Sequence, residues 1–146
     1  MRYISLSLVV ALLALPSTAD ARVKKIVVEK KVSPAFEGAS FGSAGQYETL
    51  AGRAYGELDP NDPRNAIITD IKLAPRNAAG KVEYVVSFFL VKPLDMSKAS
   101  RLMWQDVPNR GGRITINPIE RGYGDIGLST GWQGDNSGRT VPGPDN

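Results

Sequence analysis

A mainly β chain of antiparallel hairpins, sandwich-like in its spacing, is what this sequence predicts, on three observations. Its 146 residues contain 15 Gly and 10 Pro, which recur so often that no amphipathic window of helical length survives between them. Several runs alternate apolar and polar residues with a period of two, the signature of a half-buried strand. Turn-forming clusters separate those runs at short, regular intervals, as they do in β-sandwiches.

The elements follow in order. Arg2 precedes an apolar stretch over residues 4–15, then Pro16, Ser17, Thr18 and the small-residue pattern Ala19, Asp20, Ala21. This is the layout of a secretory signal, so cleavage after Ala21 and an exported, periplasmic or extracellular product are expected. The apolar part falls short of the ~20 residues a spanning helix needs, which argues against a permanent membrane span. The mature chain would be about 125 residues, one domain at most. Its expected organisation is a signal at 1–21, a β-rich region at 22–132 and a polar tail at 133–146. With no Cys, no disulfide can staple an exported domain, and its stability must rest on packing.

Residues 25–32 place Ile26, Val28 and Val32 on one face and Lys25, Glu29 and Lys31 toward water. Gly38, Gly42 and Gly45 make a loop, after which residues 47–58 put Leu50, Gly52, Ala54, Gly56 and Leu58 on one face. The small residues there predict a close-packed neighbour. Asp59, Pro60, Asn61, Asp62 and Pro63 form a turn, because Pro fixes φ and Asx side chains bond nearby backbone. Ile67, Thr69, Ile71 and Leu73 alternate with Ile68, Asp70 and Lys72, a loop with Asn77 and Gly80 follows, and residues 82–91 form the strongest strand. Its even face is Val82, Tyr84, Val86, Phe88 and Leu90. Together these two runs predict an antiparallel hairpin. A further strand at 101–107 carries Leu102, Met103 and Trp104, and a weaker extended stretch covers 123–132. Beyond residue 133 only Val141 is a sizeable apolar residue, so the tail is expected to be disordered unless something covers it.

Composition excludes several functions. Eighteen Lys plus Arg against 15 Asp plus Glu give a net charge of +3, and the basic residues are spread along the chain, which argues against nucleic-acid binding. With no His and no Cys, the chain cannot hold a Ser-His-Asp or Cys-His unit or a His/Cys zinc site. Asp59, Asn61 and Asp62 lack the alternating ligands, central Gly and closing Glu of a calcium loop, so no metal and no cofactor is expected. The nucleophile-elbow pattern Gly-x-Ser-x-Gly occurs twice, around Ser40 and Ser129. Neither site leads into a predicted helix or has a His to deprotonate the Ser, so turn or strand-end roles are expected, and no catalytic set is complete.

The remaining candidates cluster after the 101–107 strand. Asp106 stands at its end, just before Asn109 and Arg110, where an Arg–carboxylate pair could hold the loop. Alternatively, the backbone N–H groups of Gly111 and Gly112, free of side chains, could face an anion or oxyanion. Trp132 with Asp135 could edge a site and stack on a sugar, although covering a core is the favoured role for a single aromatic.

From residue 41 to 135 runs a distinctive series: Gly45-Gln46-Tyr47-Glu48; Ala54-Tyr55-Gly56-Glu57-Leu58-Asp59-Pro60; Asn65-Ala66-Ile67-Ile68-Thr69-Asp70-Ile71; Leu73-Ala74-Pro75-Arg76-Asn77; Asn109-Arg110-Gly111; and Gly131-Trp132-Gln133-Gly134-Asp135. This series is similar to the N-terminal region of a family of exported bacterial proteins, the α/β-hydrolase-domain proteins, whose members are usually several times longer. The resemblance implies that the part through Val91 is an N-terminal β-region and that residues 102–106 are an early core strand of a hydrolase sheet. It implies an oxyanion or substrate loop at Asn109, Arg110, Gly111 and Gly112, with Asn-Arg-Gly standing where better-known esterases have a His-Gly run. Nucleophile, acid and His would lie beyond Asn146.

Two functions are therefore expected as alternatives. In the first the chain is the N-terminal fragment of an exported esterase-type hydrolase, incomplete by itself, whose partner is the missing downstream hydrolase region. A small ester-like substrate would bind only the complete protein. In the second the chain is a small exported β-sandwich that binds a ligand or serves the cell envelope structurally.

Overall fold

The two longest runs of strand-favouring residues find each other. In the computed structural model, which describes residues 22–107 and 113–131, β3 (Gly45–Leu58) and β4 (Val82–Pro93) pair antiparallel from Tyr47↔Pro93 to Leu58↔Val82. β1 (Arg22–Val32) lines the outer side of β3, antiparallel, with register shifts between Val23 and Lys25 and between Val28 and Lys30. β2 (Ser40–Phe41) is a short spur on the start of β3. On the other side β6 (Ile126–Thr130) pairs antiparallel with β4, and β5 (Met103–Asp106) pairs parallel with β6. The sheet order is β1-β3-β4-β6-β5. Parallel neighbours need a long crossover, and the one between β5 and β6 carries the helix α1 (Pro118–Tyr123).

The mainly β character agrees with the sequence, but the sandwich-like arrangement does not. The described strands make one mixed sheet, with a parallel pair at one edge. The expected hairpin between residues 67–73 and 82–91 is also corrected, because β4 takes β3 as its partner and residues 63–73 fold into two short 3₁₀ turns, Pro63–Asn65 and Ile71–Leu73. Local chemistry and length both decide this. Asp62 Oδ1 accepts from Arg64 N–H at 2.9 Å, and Asn65 Nδ2 donates to the Asp59 carbonyl at 2.8 Å, winding the chain into turns. Asp70 adopts a left-handed φ of 57°, which interrupts any strand. β3, at 14 residues, offers β4 a ladder along its whole length. The turn expected at residues 59–63 is present, with Asn61 N–H donating to Asp59 Oδ1 at 2.8 Å.

α1 replaces the start of the extended stretch predicted at 123–132. Asn117 Oδ1 accepts from the N–H groups of Ile119 and Glu120, and Glu120 Oε2 accepts from Asn117 N–H, a reciprocal capping box with Pro118 in the first turn. Gly124, at φ 90°, ends the helix where a side chain would be strained. Among the described residues no helix is long and apolar enough to cross a membrane. The predicted signal at 1–21 and the tail at 133–146 lie outside the described residues.

The core forms on the odd face of β3 and β4. Tyr47, Ala51, Phe89 and Val91 are buried there with Ala44 and Ile116, and Phe36, Phe41 and Ile114 pack against them. Phe36, Phe41 and Tyr47 stack edge to face, with centroids 5.6 and 5.7 Å apart. The even face, singled out from the sequence as the apolar one, is half-buried, with Leu50, Ala54, Val86, Phe88 and Leu90 all intermediate in exposure. Ile26 and Val28 on β1 are 64% and 49% exposed, so the alternation of that strand does not mark a buried face.

The small residues of β3 do mark close approaches. A Cβ on Gly52 would lie 1.9 Å from the Val27 carbonyl oxygen, whereas one on Gly56 would meet the Tyr84 ring at 2.2 Å. Backbone cannot step aside as a ring end can. Gly52→Ala is therefore expected to detach or shift β1 and lower stability by roughly 2–4 kcal/mol, while Gly56→Ala costs about 1 kcal/mol as Tyr84 swings outward. Urea melts of the two variants check the ranking, and equal losses would contradict it.

Candidate functional site

Asp106 closes β5 and stands in register with Ser129 of β6. Of the other predicted site residues, Asn109, Arg110, Gly111 and Gly112, and Trp132 and Asp135, lie outside the described residues. Asp106 is therefore the single predicted site residue located here.

The two elbow-pattern serines are structural. Ser40 is exposed in β2, while Ser129 is fully buried within β6, its Oγ accepting from Ile114 N–H. That hydrogen bond straps the segment after residue 112 across the odd face of the sheet. Gly127, also on that face, leaves room for the strap, since a Cβ there would come within 3.0 Å of Ile114.

A polar cluster fixes the crossover. The buried Tyr47 hydroxyl shares its proton between the carbonyls of Arg121 (2.9 Å) and Asp125 (3.0 Å), tying β3 to both ends of the turn that leaves α1. Burial, with the Asp125 charge adding to it, pushes the Tyr47 hydroxyl up to about 12. The Asp125 carboxylate accepts from Ser100 Oγ at 2.6 Å and Trp104 Nε1 at 2.8 Å, anchoring the entry of β5. Arg121 is buried with its guanidinium 4.0 Å from the Phe36 ring and 4.4 Å from that of Phe41, a cation held between two π faces. Its desolvation favours the neutral form, lowering its pKa. Tyr47, Asp125, Ser100 and Trp104 are joined by these hydrogen bonds and hold the crossover in place, while Arg121 Nε is buried with no hydrogen-bond partner among the described residues.

Next to Tyr47 on β3 but on the opposite face of the sheet, buried Glu48 accepts from Lys31 Nζ at 2.8 Å and Lys92 Nζ at 2.7 Å, bridging β1, β3 and β4. The two ammonium groups hold its carboxyl at about 2, below its ordinary 4.5. Sequence reasoning did not single out a groove on the odd face, where Lys30 and Arg113 stand at the rim of an apolar floor. Those two cations are remote in sequence, and only the β1–β3 register brings Lys30 beside Ala51. Among the described residues no cluster of His, Cys, Asp and Glu could hold a metal ion. No family model, no curated protein and no solved structure matches the chain.

Two stability outcomes follow. Tyr47→Phe keeps the ring but removes the hydroxyl donor shared by the Asp125 carbonyl and the Arg121 carbonyl, the latter still accepting from Gly124 N–H, so it is expected to cost about 1–2 kcal/mol in a denaturant titration; an unchanged midpoint would refute the anchor. Because the pKa of Glu48 is depressed, its contribution is full above about 4.5 and is lost as pH falls toward about 2. Glu48→Gln should therefore lose roughly 2 kcal/mol at neutral pH and converge with the wild type near pH 2, as thermal melts across that window would show.

Proposed function

We propose that this chain is the β-rich N-terminal portion of an exported, esterase-type α/β-hydrolase and turns over no substrate by itself. The observation that carries the proposal is the parallel β5–β6 pair with its helical crossover, standing at one edge of the described sheet beside a half-buried apolar face. Strand–helix–strand units of this kind are how α/β sheets extend.

The two edges differ in a telling way. β1 carries Lys24, Lys25, Lys30 and Lys31 and two register shifts, devices that discourage another strand from pairing. β5 has no such shift and a single charge, Asp106, while Leu102, Met103 and Trp104 are each about half exposed. Next to that edge, Leu50, Leu90 and Leu128 stand side by side on the even face, continued along β4 by Phe88, Val86 and Tyr84, all half-buried. An apolar stripe of this extent beside an open edge calls for covering helices and a further strand. The motif series and the lack of His agree with a catalytic set supplied from outside these residues. Ester-type substrates and export rest on the family resemblance and on the signal pattern at 1–21.

Purified residues 22–146 are expected to hydrolyse p-nitrophenyl acetate no faster than buffer and to bind an apolar dye strongly through the even face. Turnover abolished by Ser129→Ala would overturn the proposal. Cooperative unfolding with no dye binding would instead favour the complete exported β module.

A further inference from the structure

On the odd face, opposite the half-buried stripe, lies a groove of about 490 Å³, within the range of about 300–1,000 Å³ that small-molecule sites occupy. Its floor is apolar, made by Val32, Ala51, Phe89 and Val91 from three adjacent strands. At its rim stand Lys30 from β1 and Arg113 from the strap that Ser129 holds. Among the described residues no Asp or Glu lines it. The neighbouring cations Lys24, Lys31 and Arg53 are each paired with a carboxylate, on Glu57, Glu48 and Glu29. Lys30 and Arg113 have no ion-pair partner among the described residues. The Arg113 guanidinium lies 4.7 Å from the Phe89 ring centroid, which holds it at the groove and leaves its forked N–H donors for an acceptor.

We infer that this groove binds a small carboxylate with an apolar tail, the carboxylate held by Arg113 and Lys30 and the tail laid along Ala51, Phe89 and Val91. A planar carboxylate matches the guanidinium fork of Arg113, and the second charge comes from Lys30 on β1. A neutral apolar molecule would leave both cations without a counter-charge, and a compact polyanion would leave the floor unused. The site shares no residue with the even-face stripe, so it stands or falls independently of the proposed hydrolase.

Calorimetric titration of the full chain with octanoate, octanol and inorganic phosphate separates the three. Octanoate is expected to bind saturably at one site and more weakly as salt rises, with octanol and phosphate far behind. Arg113→Gln should weaken octanoate about tenfold and Lys30→Gln about threefold. Both side chains are exposed, so circular dichroism should show the fold intact in each variant. Octanol binding as tightly as octanoate, phosphate competing equally with it, or unchanged octanoate affinity in both variants would each overturn the inference, as would the absence of saturable binding.

Discussion

The ladder between β3 and β4 is the constraint on which everything else depends. All 12 residues of β4 pair with β3, and a strand's side chains alternate, so this one register assigns every neighbouring residue to a face. It sets Tyr47, Ala51, Phe89 and Val91 together on the odd side and Leu50, Val86, Phe88 and Leu90 on the even side. β1 and β6 then extend both faces without changing them. A shift by one residue would exchange core and surface along the whole sheet.

The two faces meet different fates because loops cross only one of them. Residues 35–44 and the strap at 113–117 cover the odd face, the strap held by the Ser129 hydroxyl, while the Tyr47 hydroxyl holds the turn that leaves α1. What they leave uncovered on that side is a groove whose two cations, Lys30 and Arg113, have no ion-pair partner among the described residues. The even face is half-buried and runs to the β5 edge, where β5 and β6 make the one parallel pairing among the described strands. One side of the molecule is thus finished to the scale of a small ligand, and the other is open on the scale of a packed layer.

Local chemistry made much of this legible in the sequence. The Asx turn at residues 59–63, the close approach at Gly52 and Gly56, and strands β1, β4 and β5 follow from residue types whose geometry leaves few choices. The misreadings have physical causes as well. Alternation over Ile67, Thr69, Ile71 and Leu73 is a weak signal over so short a run, and the buried Asn65 and left-handed Asp70 overrode it. α1 is only 6 residues long, too short for an amphipathic window, although Asn117, Pro118, Glu120 and Gly124 spell out its caps. Which face would be buried could not be read from β4, since both of its faces are apolar. Of the predicted site, Asp106 alone falls within the described residues, and the groove depended on pairing Lys30 with Ala51 across strands.

The central claim is that the even face and the β5 edge are completed by more of the same polypeptide. Its most direct measurement is the mass of the exported product captured from native cells with an antibody against residues 47–58, followed by peptide sequencing. The account predicts a species much larger than residues 22–146, with peptides continuing past Asn146 into a His-containing segment. A captured species that matches residues 22–146 alone would contradict it.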